Sequence, residues 1–148
     1  MSTLVIDASV AAKWFLPPAS EPLRDEALDL LRGYAEGRLQ FAVPDLFWAE
    51  CGNIFWKAVR QGRWNRAAAD DAIRSLKDRG LPTTPSADLL EDAFSIASSF
   101  DRAVYDALYV VLAVHLRTDL VTADARLAGA LGAHLPVKWL GYVASTFR

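Results

Sequence analysis

The chain has 148 residues, 53% of them hydrophobic and 23% charged, with a net charge of −2 and a single cysteine, Cys51. A chain this long can bury about two thirds of its unfolded surface, which excludes disorder and removes the need for a disulfide framework. Arg, Asp and Glu break every apolar run well short of a membrane span, no secretory pattern opens the sequence, and one cysteine fits a reducing cytoplasm.

The run "LVI" at 4–6 has two β-branched members and ends at Asp7, the pattern of a strand covered on both faces. Residues 8–16 are expected to be helical until Pro17 and Pro18. A second helix follows, with Ser20 as its N-cap candidate, Pro22 near its start, and Gly33 and Gly37 near its end. Residues 39–43 read as a strand closed by Pro44, and Asp45 can cap a helix running to about Gln61. Asn65 can cap the next helix, which Gly80 stops. Residues 81–85 are a weak strand or an extended link. Ser86 opens another helix, and a further one, capped by Asp101, carries Asp106 to about Leu116. The stretch "DLVTAD" repeats the design of the first strand; a short helix and an edge strand near 134–140 close the chain. Strands alternating with helices predict a three-layer α/β/α sandwich around a mostly parallel sheet, in one domain spanning 1–148.

Four acids fall where such a fold places ligands. Asp7 follows the first strand, Asp124 follows "LVT", and Glu50 lies about a turn into the helix after the second strand. The crevice beyond the carboxyl ends of a parallel sheet can gather all three. Asp106 is the fourth; at 100° per residue it shares a face with Arg102, Ala103, Tyr109, Val110, Ala113 and Arg117, with Leu108 and Val111 opposite. Carboxylates crowded in a half-buried cleft repel one another unless a cation joins them. Oxygen donors without a Cys or His pair favour Mg²⁺ or Mn²⁺ over zinc, and His115 and His134 show no ligand spacing. Such ions commonly serve phosphodiester hydrolysis.

Each acid also has a plainer reading. Asp106 can favour the positive end of its helix or pair with Arg102 at i−4, Asp124 can cap "ARLAGAL", Glu50 can be a solvated helix acid, and Asp7 can cap the helix after it. The coincidence of all four supports the shared site. Cys51, with no histidine nearby in sequence, reads as a small buried residue. A pI near 5.6 lacks the basic footprint expected of a nucleic-acid binder, though a cleft of acids lowers the total even where arginines line its rim.

The segments "VIDASVAAKWFL", "VPDLFWAECGNIFWKAV", "AVYDALYVVLA" and "DLVTADARLA", in this order, resemble the four acid-bearing segments of PIN-domain ribonucleases, specifically the VapC-type toxins of bacterial toxin–antitoxin pairs. The resemblance covers essentially the whole chain, and "VYDALY" followed by "LVTAD" is its most specific part. It implies a catalytic set of Asp7, Glu50, Asp106 and Asp124, with Ser9, Asn53 and Thr122 as polar supports. Asp7 and Asp106 would hold the main ion, Asp124 would bind it directly or through water, and Glu50 would position or deprotonate the attacking water. It implies Mg²⁺- or Mn²⁺-dependent cleavage of RNA, neutralisation by a cognate antitoxin, and a homodimer. Lys13, Arg102, Arg117 and Arg126 are candidates for RNA contact.

Other classes fit less well. A phosphatase of the haloacid-dehalogenase type calls for Asp-x-Asp after the first strand, where this chain has Asp7-Ala8-Ser9; a receiver domain calls for adjacent acids there. A module that only binds RNA or a basic peptide through the acidic cleft, and a stand-alone RNA-processing nuclease with the same site, both remain open.

Overall fold

Burial of the first apolar run organises the sheet: β1 (Ser2–Ile6) buries its last three residues and stands in the middle of five strands. The computed structural model describes residues 1–143. The other strands are β2 (Leu39–Pro44), β3 (Thr83–Thr84), β4 (Leu120–Thr122) and β5 (Val137–Trp139), in the order β3-β2-β1-β4-β5, with every pairing parallel. Parallel neighbours need long crossovers, and helices fill them. They are α1 (Ala8–Ala11) and α2 (Arg24–Ala35), α3 (Leu46–Arg60) and α4 (Arg66–Asp78), α5 (Leu90–Phe100) and α6 (Val104–His115), and α7 (Ala125–Leu131); α8 (Leu140–Val143) follows β5. Right-handed crossovers put α1–α4 on one face of the sheet and α5–α7 on the other. This is the expected α/β sandwich.

The chain steps outward from β1 to β3 and then returns across β1 to β4. The strand order therefore reverses between β1 and β4, where parallel sheets open a crevice at their carboxyl ends. Register carries the argument to single residues: Val5 pairs with Leu120 and Ile6 with Val121, so the next pair along is Asp7 with Thr122.

Helix α6 packs across β1, β2 and β4, and α5 covers its outer side. All of Ala107–Ala113 is consequently buried, not one stripe of it. The two-faced helix expected from periodicity is replaced by a helix enclosed on every side. Asp106 is placed just before that enclosed stretch, in the first turn, so it interrupts no buried surface.

Several local expectations change. Helix α2 begins at Arg24, not after Ser20; residues 18–20 form a 3₁₀ turn, and Leu23 precedes the helix in a left-handed conformation with φ 61°. Asp25 and Glu26 occupy its first turn, where the helix dipole favours acids. Asp45 precedes α3 without a side-chain cap and instead accepts a hydrogen bond from the Ser86 hydroxyl. Asp101 is not the cap of α6; it ends α5 with φ 53°, and Ala103 holds the cap position. Asn65 does cap α4, accepting from the Ala68 N–H at 2.7 Å. Asp29 is buried on α2 and paired with Arg32. Of the aromatic residues on and after α3, Phe55 is core, Trp48 and Trp64 pack against it, and Trp56 is exposed.

Candidate active site

Asp7 ends β1 and Thr122 ends β4, and a buried ring of hydrogen bonds joins them. Thr122 Oγ1 donates to Asp7 Oδ2 and Ser9 Oγ donates to Asp7 Oδ1, each at 2.5 Å. The two hydroxyls in turn accept backbone N–H groups from β4's end: Asp124 N–H reaches Thr122 Oγ1 at 3.1 Å and Ala123 N–H reaches Ser9 Oγ at 3.0 Å. Asp7 occupies the cap position of α1, and its carboxylate is engaged chiefly by the Ser9 and Thr122 hydroxyls, with the Val10 N–H of α1's first turn adding a weaker pull.

Asp124 does cap its helix, and the plain reading holds there. Its Oδ1 accepts the N–H groups of Arg126 at 2.9 Å and Leu127 at 3.2 Å, which leaves Oδ2 outside the capping bonds. Glu50, in the second turn of α3, accepts a 2.5 Å hydrogen bond on Oε1 from the Tyr109 hydroxyl. Asp106 pairs with Arg102 at 3.6 Å, as the i−4 spacing suggests.

The four acids feel one another. Burial pushes the Asp7 carboxyl up to about 6, against the opposing pull of the Ser9 and Thr122 hydroxyls, with a smaller contribution from the negative charge of Glu50. Burial likewise raises Glu50, where the Tyr109 hydrogen bond opposes the shift and Asp106 adds to it. Asp106 is raised by burial, lowered by Arg102 and raised again by Asp124. The chain of repulsion runs Asp7, Glu50, Asp106, Asp124, so acids from four segments share one field.

The donor chemistry suits a hard divalent ion. All the site's charged donors are carboxylate oxygens. Cys51 is buried and its thiol is pushed far up by burial, then by Glu50 and Asp7, so it is no ligand. His115 pairs with Asp92 at 2.9 Å and His134 lies against the Phe100 ring. Among the described residues, no three His, Cys, Asp or Glu side chains converge as a metal-holding group.

Of the polar supports, Ser9 and Thr122 touch Asp7, while Asn53 is exposed one turn beyond Glu50 and joins none of these bonds. The candidate cations divide. Arg102 and Arg126 border the acids. Lys13 is buried, with its ammonium 3.0 Å from Glu21, because α1 passes into a 3₁₀ turn that brings it under the 18–20 turn. Arg117 follows the far end of α6, about 16 Å along the helix from Asp106, beside Thr118, which bonds the Thr3 carbonyl at the sheet's opposite edge. Tyr109 was missed as a site residue; its spacing of three from Asp106 was visible, but its bond to Glu50 joins residues 59 apart in the chain and depends on the tertiary fold.

The PIN domain family matches residues 4–130, a span that holds β1 to β4 and the switch point between β1 and β4. Ribonuclease VapC3 of Pyrobaculum aerophilum is 30% identical over 127 residues, covering 84% of this chain and 92% of that protein. Ribonuclease VapC1 of Mycobacterium tuberculosis is 35% identical over 112 residues, covering 74% and 80%. The crystal structure of PAE2754 from Pyrobaculum aerophilum superposes with a TM-score of 0.71 at 21% identity over 99% of this chain and 98% of that one, a likeness of fold. The chain belongs to the PIN-domain family, among the VapC ribonucleases.

Proposed function

We propose that this chain is a Mg²⁺- or Mn²⁺-dependent endoribonuclease that hydrolyses RNA phosphodiester bonds at Asp7, Glu50, Asp106 and Asp124. It acts as the toxin of a toxin–antitoxin pair, restrained by a cognate antitoxin. The observation that carries the reading is the mutual electrostatic field of four carboxylates delivered to the β1–β4 switch point by four separate segments. A homodimer, a cytoplasmic setting and a single domain over 1–148 belong to the same reading. Among the described residues no helix is long and apolar enough to cross a membrane.

Asp7, Asp106 and Asp124 would hold the ion, which when bound would offset their repulsion and stabilise charge on the attacking and leaving oxygens of the phosphodiester. Asp7 is fixed for this by Ser9 and Thr122. Tyr109 holds Oε1 of Glu50, leaving Oε2 to orient a water and take its proton. The raised proton affinity of Glu50 suits that task, since a base works best when its pKa approaches the working pH. Water oxygen bonds to phosphorus as the 3′ oxygen leaves, giving a 5′ phosphate and a 3′ hydroxyl.

The test is direct. Wild type and Asp106→Asn are incubated with total cellular RNA in Mg²⁺, Mn²⁺ or EDTA, and the cut ends are sequenced. Ion-dependent cuts that vanish in the variant support the nuclease. Binding without cuts under every condition would favour an RNA-binding module, and growth arrest on expression separates a toxin from a processing enzyme.

A further inference from the structure

Arg102 is the residue whose surroundings the proposed reaction leaves unexplained. Its side chain is about three quarters buried beside the acids, yet Nη2 approaches Asp106 Oδ2 only to 3.6 Å, beyond a good hydrogen bond. Its Nε is buried and has no hydrogen-bond partner among the described residues. A guanidinium stays charged in any protein and carries five donors in a rigid fork, so a buried Nε–H left unmet is unfavourable. The backbone there is fixed: Asp101 turns the chain in the left-handed region, and the Arg102 N–H closes the end of α5 on the Ala97 carbonyl at 3.1 Å.

We propose that Arg102 is a built-in counter-ion of the acidic site, which occupies Asp106 while no divalent ion is bound and turns its fork to an RNA phosphate once an ion takes that carboxylate. This rests on the nuclease reading and adds to it an internal competitor for the ion. Two physical steps support it. A divalent ion on Asp106 removes the one charge that Arg102 faces and repels the guanidinium at the same time. The anion then brought to the crevice mouth is a phosphodiester, whose paired oxygens match the guanidinium fork and satisfy the idle Nε–H.

The experiment has two arms with opposite signs. Mn²⁺ affinity is measured by titration calorimetry on wild type, Arg102→Gln and Arg102→Lys without RNA. Affinity for a labelled single-stranded RNA 20-mer is measured in Mn²⁺ on Glu50→Gln, with and without Arg102→Gln, across a salt series. Arg102→Gln should bind Mn²⁺ about fivefold more tightly and RNA about fivefold more weakly, with a salt slope smaller by about one. Arg102→Lys should keep Mn²⁺ affinity near wild type and recover only part of the RNA affinity, because it keeps the charge and loses the fork. A residue with a merely structural role would weaken both. Unchanged or weaker Mn²⁺ binding in Arg102→Gln overturns the proposal, and so does unchanged RNA affinity. If Glu50→Gln with Arg102 intact binds no RNA and wild type cuts none, the nuclease reading fails and takes the phosphate contact with it; the Mn²⁺ arm still decides the counter-ion.

Discussion

Asp7 and Asp106 stand at one crevice, but the first accepts a hydroxyl on each oxygen, from Thr122 at the end of β4 and from Ser9 in α1, while the second, among the described residues, meets Arg102 at 3.6 Å. Asp7 is 8% exposed and sits on the central strand; Asp106 opens a helix and its side chain is about a third exposed. The strand half of the site is thus built in advance, and the helix half is adjustable. Damage to the strand half should register first as lost stability, and damage to the helix half as lost ion binding and chemistry.

The largest effect is expected at Asp106. Asp106→Asn should lose ion-dependent cleavage altogether, and it should also lose the rise in melting temperature that Mn²⁺ gives wild type, because a ligand stabilises only the form that binds it. In EDTA the variant should melt at or above the wild-type temperature, since one repelling charge has gone. A clearly lower melting point with the Mn²⁺ effect intact would make Asp106 a surface ion pair with Arg102 and nothing more.

Thr122 gives the contrasting result. It is buried, donates to Asp7 and accepts from the Asp124 N–H, so Thr122→Val strands an acceptor and a donor together. That should cost about 1–3 kcal/mol, or several degrees in a chain of this size. Calorimetric melting in EDTA checks it; a loss no larger than that of Asp106→Asn would erase the distinction between the halves.

A pH series in EDTA tests the same half without a cavity. The Asp7 carboxyl is raised from 3.8 to about 6, so between those values the folded protein holds a proton that the unfolded chain has released. Stability from this group therefore falls as pH rises through the window from about 4 to 6, and stays low above it. Asp7→Asn should flatten that part of the profile. A wild-type profile that instead rises across the window would show that Asp7 is not desolvated.

Tyr109→Phe should act more gently, on chemistry. Removing one hydrogen bond to a half-buried carboxylate is worth about 1 kcal/mol, so kcat should fall about fivefold with KM for RNA and Mn²⁺ affinity unchanged. A change confined to KM would make Tyr109 a substrate contact, not the residue that holds Glu50.

How much of this was legible in the sequence follows from the same physics. The positions of Asp7 and Asp124 could be read because a strand followed by an acid is a local pattern, and parallel topology then fixes which ends meet. Thr122 was named only as a polar support through the family resemblance; its bond to Asp7 shows in the β1–β4 register. What failed were properties set by elements distant in sequence. Helix α6 looked two-faced because its sequence does not show that α5 would cover its outer side. Asp101 looked like a cap because the reading could not tell which of two abutting helices it belonged to; the left-handed turn gives it to α5. Leu23 in a left-handed conformation has no sequence signature at all, since an apolar side chain is disfavoured there.

The smallest effects concern the cations, and they separate position from charge. Arg117 and Arg126 each carry one positive charge, but Arg126 opens α7 two residues after Asp124, while Arg117 follows the C-cap residue Leu116 at the far end of α6. At physiological salt a charge about 16 Å from the crevice lies beyond the Debye length of about 8 Å and contributes almost nothing to phosphate binding there. Arg117→Gln should therefore leave RNA affinity and its salt slope unchanged, whereas Arg126→Gln should weaken binding and lower the slope by about one. Fluorescence anisotropy with the RNA 20-mer in the Glu50→Gln background reads both. Equal losses from the two variants would mean that RNA tracks along α6 to the opposite edge of the sheet, and the binding face would have to be redrawn around that helix.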